Sequence, residues 1–421
     1  MKKNFWVYVC ALCLLLTIPV NLTGCTAKVQ AVDLMEGITP GAVEGKTVDE
    51  TFRLHEMTFA LQLLQEAIKE EKENLLLSPL SVQLALAMTA NGAGGETRQE
   101  MQTLLGGEIP LELLNEYLYT YVGGLPNGNN SKLTIANSIW YRDEDSRLQV
   151  EEAFLQTNGD YYGAQIYKAP FDGQTVKDIN NWVSEKTDGM IDGIVDEISS
   201  DTVLYLINAL AFDAKWDRAY KKHEVGNRIF CTDSGEEISA EMMYSTEWQY
   251  LDDGKATGFL KDYKGGSYTF AALLPEENMT VWDYIKGLTP ETLLTLLDNP
   301  KTGMGGRVGL PKFTFDYELS MNDTLKHLGL QRAFSSEMAD FSSMAYSTHG
   351  NICIGDVLHK THISVDEEGT KAAAATKVEI VEECAAMEEW SVILDRPFVF
   401  MILDRETKLP VFMGVVTNPK G

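Results

Sequence analysis

Positive charge is scarce in this 421-residue chain. Lys and Arg together number 35 against 62 Asp and Glu, which gives a net charge of −27 at pH 7. No cluster of basic residues interrupts this acidic excess. Such a chain repels nucleic acids and other polyanions at long range. The composition therefore argues against a nucleic-acid-binding protein and predicts no site for a heparin-like cofactor.

Cysteine and histidine residues are also few, and their spacing matches no disulfide, metal-binding or catalytic motif. The six cysteines are Cys10, Cys13, Cys25, Cys231, Cys353 and Cys384. The last three form an odd, widely spaced set, which predicts neither a disulfide framework nor a zinc site. The six histidines show no ligand spacing, and the hydrolase motifs G-x-S-x-G and H-E-x-x-H do not occur. We therefore expect no enzyme, no metal and no cofactor.

The amino terminus has the pattern of an export signal. Lys2 and Lys3 precede an apolar stretch of about residues 5–20, which is too short and wrongly flanked for a membrane span. The following Leu22-Thr23-Gly24-Cys25 resembles a bacterial lipobox, which implies removal of residues 1–24 and lipidation of Cys25. Ordinary cleavage further on, for instance after Ala31, is the alternative. The prediction is an exported, extracellular protein, held at the bacterial cell surface by one lipid-bearing residue.

The rest of the chain is predicted to be one α+β domain. Residues 25–48 are small, polar and aperiodic, so we expect a flexible tether. Over residues 49–421, helical and strand patterns mix without a βα repeat, which favours a single α+β unit. Strands are predicted at 133–141, 203–212, 267–274, 307–315, 398–403 and 411–416.

Two helix starts can be predicted from capping residues. Ser78 is a suitable N-cap and Pro79 suits the first turn of a helix that runs to about residue 91. Thr97 and Glu100 have the spacing of a capping box, which predicts that a second helix opens there. The glycines Gly106 and Gly107 are expected to close that second helix.

An alanine-rich stretch over residues 367–384 has an ambiguous pattern. Read at a period of two, one side is small or apolar and carries Thr370, Ala372, Ala374 and Thr376, whereas charged residues fall on the other side. This is the pattern of a half-buried strand. Four successive alanines nevertheless have low β-propensity, and composition alone favours an exposed helix or a linker. The stretch is therefore able to become a strand without being committed to one.

This stretch closely resembles the hinge and reactive loop of the serpins, whose loop inserts into a central sheet. Further family motifs occur in the family order, at Ser78-Pro79-Leu80-Ser81, Leu310-Pro311-Lys312-Phe313, Val357-Leu358-His359-Lys360 and Arg396-Pro397-Phe398. The resemblance covers about residues 50–421. It implies the serpin fold, in which several helices surround three β-sheets and a reactive loop, here about residues 367–396, is exposed.

The resemblance also assigns roles to individual residues. The hinge is Glu367, Gly369, Thr370, Ala372, Ala374 and Thr376. The shutter, a polar cluster beneath the central sheet where strands part, is Ser78, Ser81, Asn208 and His359. Trp216 matches the breach, where insertion begins.

By this resemblance, the protein is a monomeric suicide substrate that traps a serine protease as an acyl-enzyme. The alternative is a non-inhibitory serpin that acts as a substrate, binding module or chaperone. Counting seventeen residues from Glu367 places the scissile bond between Glu383 and Cys384, which predicts a glutamate-specific target. The segment up to Pro397 is longer than is typical, so the bond can instead follow any of residues 384–387. These later bonds predict an elastase-like or subtilisin-like target.

Overall fold

The computed structural model describes residues 29–70, 72–128, 130–143, 148–200, 202–348, 350–370 and 389–421. Within these residues the chain forms three sheets and nine α-helices, numbered here in chain order. The helices are α1 (Glu50–Glu70), α2 (Pro79–Ala90), α3 (Gly95–Gly106), α4 (Leu111–Gly124), α5 (Glu152–Tyr162), α6 (Gly173–Lys186), α7 (Val281–Lys286), α8 (Pro290–Asp298) and α9 (Asn322–His327). In the described part of the chain, none of them combines the length and hydrophobicity that crossing a bilayer requires.

The central sheet, called sheet A here, has seven strands in the order β1-β5-β3-β6-β15-β14-β12. Its strands are β1 (Val32–Asp33), β3 (Ser131–Arg142), β5 (Gln165–Ala169), β6 (Leu204–Lys215), β12 (Phe313–Ser320), β14 (Asp356–Val365) and β15 (Gly369–Thr370). Strand β6 is buried along almost its whole length, as its run of apolar residues predicts.

The second sheet, sheet B, has nine strands. They are β2 (Leu75–Leu77), β7 (Val225–Cys231), β8 (Glu237–Asp252), β9 (Ala256–Asp262), β10 (Tyr268–Pro275), β11 (Lys301–Pro311), β16 (Trp390–Ile393), β17 (Phe398–Asp404) and β18 (Pro410–Val416). A small third sheet pairs β4 (Leu148–Val150) with β13 (Ala345–Ser347). The expected α+β fold with helices around three sheets is confirmed.

Sheet A separates two hydrophobic cores. The larger core lies between sheet A, sheet B and α2, where every residue of α2 is buried. The smaller core lies under α6, where Trp182 packs with Trp140 of β3 and Ile207 of β6. Both faces of the central strands are therefore covered, which explains why their sequences are apolar without alternation.

The predicted helix starts have different outcomes. Helix α2 begins as expected, with Pro79 in its first turn and the Ser78 hydroxyl accepting a hydrogen bond from the Ser81 N–H. Helix α3 instead begins at Gly95, so the capping box at Thr97 is wrong. The Thr97 hydroxyl accepts a hydrogen bond from the N–H of Asp340, a distant residue, and is not available to cap its own helix. Gly106 is the last residue of α3 and Gly107 follows it with a positive φ of 53°, which favours glycine, so the predicted end of this helix is confirmed.

The strand predicted at 307–315 is two strands in two sheets. Strand β11 ends at Pro311 in sheet B, and β12 begins at Phe313 in sheet A, with only Lys312 between them. The buried apolar positions change from Val308 and Leu310 in β11 to Phe313 and Phe315 in β12, so the period of two is interrupted at the junction although both segments are extended. The pattern cannot show that the hydrogen-bonding partners change.

Residues 29–48, predicted to belong to a flexible tether, instead form a strap across the body. Strand β1 pairs with the edge strand β5, and the N–H groups of Gln30 and Ala31 donate to one oxygen of Asp178 at 2.9 and 2.8 Å. Further along, the Gly41 N–H donates to Asp160 at 2.7 Å. The carboxylates that hold the strap are on α5 and α6, far away in sequence, and local composition does not reveal them. Residues 25–28, with the proposed lipidation site Cys25, lie outside the described residues.

Candidate functional site

Two hinge residues already occupy a strand position inside sheet A. Strands β6 and β14 pair directly in parallel where residues 205–210 face residues 356–361. Further along, β15 lies between them, with Thr370 opposite Ala214 of β6 and Val365 of β14. The central strands are therefore joined at one end and held apart at the other by Gly369 and Thr370.

A tight turn delivers the hinge into this position. One carboxylate oxygen of Asp366 accepts hydrogen bonds from the N–H groups of Glu368 and Gly369 at 2.8 and 3.2 Å. Trp216, at the end of β6, donates its indole N–H to the carbonyl of Asp366 at 2.9 Å and its backbone N–H to that of Glu368 at 2.8 Å. The breach tryptophan is thus the residue that fixes the turn.

Gly369 and Thr370 fit between β6 and β14 because both residues are small. A Cβ on Gly369 would lie 2.1 Å from the carbonyl oxygen of Ala214, so only glycine fits there. Thr370 is 2% exposed, and its hydroxyl lies 2.6 Å from the hydroxyl of Tyr263, whose ring stacks on Trp216 at 4.5 Å. The expectation that this part of the hinge stays outside the sheet until cleavage is corrected, because Thr370 is buried in the uncut chain.

Glu367 is held at the base of the loop by an ion pair. Its carboxylate lies 2.5 Å from the ammonium of Lys312, the single residue between β11 and β12. Partial burial alone lowers the pKa of Lys312, but the hydrogen bonds and charges of Glu367 and Glu241 together raise the pKa by more. The pair joins the base of the hinge to the point where the chain passes from sheet B to sheet A.

A buried ion pair lies beneath the breach. Lys261 is 3% exposed and donates to Glu247 at 2.7 Å, with its ammonium 5.4 Å from the Trp216 ring and 4.6 Å from that of Tyr220. Burial lowers the pKa of Lys261, but Tyr220 and Glu247 raise it by more. Sequence reasoning missed this pair and also Tyr263, since neither belongs to a motif with a fixed local spacing.

The four predicted shutter residues lie together as one hydrogen-bonded chain. The Ser78 N–H donates to Nε2 of His359 at 3.2 Å, so Nδ1 carries the proton and donates to Oδ1 of Asn208 at 2.7 Å. The Asn208 amide then donates at 2.8 Å to Asn137 on β3, which also accepts from the Ser81 hydroxyl at 3.4 Å. Asn137 was missed, although it sits one strand from Asn208 in direct register.

This chain of bonds requires a neutral histidine. His359 is fully buried, and desolvation lowers its pKa to about 4. A proton on Nε2 would face the Ser78 N–H, so two donors would meet with no acceptor between them. The shutter thus fastens α2, β3, β6 and β14 through a network that is complete only when His359 is uncharged.

The remaining predicted site residues lie outside the described part of the chain. They are the hinge residues Ala372, Ala374 and Thr376, the scissile pair Glu383 and Cys384, and Cys25. Among the residues that the structure describes, there is no group of three or more potential metal ligands.

Comparison with known proteins places these features in a family. The model of the family described as Serpin (serine protease inhibitor) matches residues 55–419. The chain belongs to the serpin family. An uncharacterized serpin-like protein of Thermococcus kodakarensis is 31% identical over 375 residues, which are 86% of this chain and 84% of that protein. Serpins are generally inhibitors and not catalysts.

Two solved structures of another serpin show which conformation this one resembles. The thermophilic serpin tengpin in its native state is 47% identical and superposes with a TM-score of 0.89, covering 93% of this chain and all of that one. Tengpin in its latent state is 45% identical over 89% of this chain and 99% of that one, with a TM-score of 0.79. The structure is thus more similar to tengpin's native state than to its latent state.

Proposed function

We propose that this serpin inhibits a serine protease as a suicide substrate. The observation that carries the proposal is the position of β15. Gly369 and Thr370 already form a strand between β6 and β14, and the sequence that follows them has a small residue at every second position, Ala372, Ala374 and Thr376, as an inserted strand would require. A strand of twelve residues would extend about 40 Å from there.

The protease supplies the chemistry and the serpin supplies the conformational change. The protease serine attacks the carbonyl of the scissile bond, which breaks and leaves the new carboxyl end of the loop as an ester on the enzyme. Once cut, the loop can extend β15 into the sheet and carry the attached enzyme with it. Insertion must separate the direct pairs between residues 205–210 and 356–361, and His359 and Asn208 hold that junction together.

The net driving force comes from the added strand. Each inserted residue gains ladder hydrogen bonds worth about 1 kcal/mol together with burial of its inward side chain. A bulky or charged inward residue would have to be desolvated between two packed layers, which would slow or prevent insertion. The small residues of this hinge favour inhibition over the non-inhibitory alternative.

The target class depends on the position of the scissile bond. Cleavage between Glu383 and Cys384 would select a glutamate-specific protease, whereas cleavage after residues 384–387 would select an elastase-like or subtilisin-like one. Mass spectrometry of the carboxy-terminal fragment released by the target protease will distinguish these bonds by the first residue of that fragment.

We also propose that the protein is exported as a monomer and anchored through lipidated Cys25 at the bacterial cell surface. Because the N–H of Gln30 donates to Asp178, only residues 26–29 would separate the lipidated Cys25 from the first residue held on the folded body. Incorporation of a lipid label into the wild-type protein but not into the Cys25→Ala variant would support this anchor. Equal labelling of the two would contradict it.

Incubation with a panel of serine proteases tests the central proposal. The expected result is a covalent complex that survives boiling in detergent, together with loss of protease activity. Clean cleavage of the loop by proteases that all stay active would instead favour the non-inhibitory alternative.

A further inference from the structure

Two large apolar side chains are exposed on adjoining strands of sheet B. Trp248 of β8 is 53% exposed, and Met304 of β11 is 50% exposed. The Trp248 indole lies over the backbone at Gly305, where an added Cβ would be 3.4 Å from two of its ring carbons. We call the surface formed by Trp248 and Met304 the Trp248 surface.

This surface lies where the reactive loop rejoins the body. Glu389, the first described residue after Thr370, donates its N–H to the carbonyl of Gly305 at 3.1 Å. The next residue, Trp390, donates its indole N–H to the carbonyl of Met304 at 3.0 Å. From Glu383 to Glu389 the chain can span at most about 22 Å, and from Met387 only about 7 Å. A protease domain of about 230 residues has a radius of gyration of roughly 17 Å, so an enzyme on the scissile bond reaches this surface.

Trp248 is also rigidly supported. The preceding residue, Glu247, points inward and is fixed by the buried Lys261 at 2.7 Å, while Gln249 and Tyr250 pair with β9. A side chain presented from a fixed strand loses little conformational entropy when it is covered. Tryptophan in such a position is the residue type most enriched among side chains that dominate binding energy.

We propose that Trp248 and Met304 form a secondary docking site for the target protease, next to its contact with the reactive loop. This inference rests on the proposed inhibitory function. Since the chain carries a net charge of −27, and Glu388 and Glu389 immediately precede Trp390 in the sequence, the fitting partner presents an apolar patch bordered by basic residues. A second copy fits less well, because two like-charged chains repel and two side chains cover much less than a stable dimer interface.

The test compares the double variant Trp248→Ala/Met304→Ala with wild type, using the protease that wild type inhibits fastest. Binding is measured to that protease with its nucleophilic serine replaced by alanine, so that no acyl-enzyme forms. We expect the Kd to rise and the second-order inhibition rate to fall about tenfold or more. The number of serpin molecules consumed per protease inhibited should not change, because the hinge is untouched.

Met338→Ala/Tyr346→Ala is the matched control, since these side chains are 50% and 63% exposed outside sheet B. If this control weakens binding equally, or if neither double variant weakens binding, the proposed docking site is contradicted. The proposed inhibitory function is not affected by that result. If wild type forms no covalent complex with any protease, the proposed function fails, and the docking site fails with it. If wild type is a dimer in sedimentation that Trp248→Ala/Met304→Ala dissociates, the surface is a self-interface and the proposal is overturned.

Discussion

At the scale of single residues, His359 makes the described shutter sensitive to acid. Its folded-state pKa of about 4 lies below the ordinary value of 6.5, and burial is the cause. Between these two values the unfolded chain binds a proton that the folded chain does not bind. The stability contributed by neutral His359 is therefore complete above about pH 6.5 and is lost as the pH falls toward 4.

We predict that this effect contributes about 3 kcal/mol to the free energy of unfolding across that interval. The comparison should use His359→Gln, because buried Glu56 has a pKa raised to about 8 and changes stability in the opposite direction. Urea unfolding from pH 4 to 7 should show the wild type losing stability relative to His359→Gln as the pH falls. Parallel pH profiles for the two proteins would show that His359 does not titrate as described.

Thr370 supports a second prediction at this scale. The structure changes the effect expected from replacing this residue. From the sequence, Thr370→Arg is expected to turn the inhibitor into a substrate while leaving the fold intact. Because Thr370 is already buried against Tyr263, the arginine must now also disturb the uncut molecule. We expect a lower Tm of the uncut form and a loss of covalent complex, measured by thermal unfolding and by gel.

The conservative Thr370→Ser keeps the hydroxyl and is the control. It should form the covalent complex and melt close to wild type. If Thr370→Arg forms the complex as efficiently as wild type does, the account of the hinge is wrong.

At the scale of elements, the first residues of the strap depend on one carboxylate, that of Asp178. Asp178 is 1% exposed, and one oxygen accepts the N–H groups of Gln30 and Ala31 while the other accepts the amide of Gln174 at 2.9 Å. Hydrogen bonds to a charged acceptor are each worth roughly 1.5–3 kcal/mol. The carboxylate therefore joins the strap to α6 at the edge of sheet A.

We predict that Asp178→Asn loosens this end of the strap, because a neutral amide oxygen accepts the two N–H groups more weakly than a carboxylate does. Hydrogen–deuterium exchange over residues 29–34 should become faster by about tenfold or more. Asp160→Asn is the matched control, since Asp160 accepts the N–H of Gly41 on the same strap. It should speed exchange near residue 41 and leave residues 29–34 unchanged; equal effects of both variants on residues 29–34 would contradict the assignment.

Elements with local causes were the ones that the sequence predicted well. The N-cap at Ser78 and the buried run of β6 depend on neighbours in the chain, and both are confirmed. The strap, Thr97 and the division between β11 and β12 depend on partners that are distant in sequence. Gln30 and Asp178, for example, are 148 residues apart. The hydrophobic periodicity of the sequence does not identify a partner at such a distance.

For the candidate site, the family motifs predicted most of the interacting residues but not all of them. The resemblance predicted that Ser78, Ser81, Asn208 and His359 lie together, and the structure brings them together. Asn137 and Tyr263 were missed because each acts only through a tertiary contact with a predicted residue.

At the scale of the whole molecule, sheet A is partly opened, and among the described residues Gly369 and Thr370 form a further strand inside it. Residues 205–210 and 356–361 are still paired directly, while Gly369 and Thr370 separate the same two strands at their other end. Completing the strand would add hydrogen bonds and burial without removing the surrounding cores. The account therefore requires the uncut molecule to be less stable than the molecule with a cleaved, inserted loop.

Thermal unfolding of the intact and loop-cleaved proteins measures this difference directly. Twelve inserted residues at about 1 kcal/mol each correspond to a rise in Tm of roughly 10–20 °C for a domain of this size. The same cleavage in Thr370→Arg should give a much smaller rise, because its side chain obstructs the slot. An intact and a cleaved wild-type protein that melt at the same temperature would contradict the account.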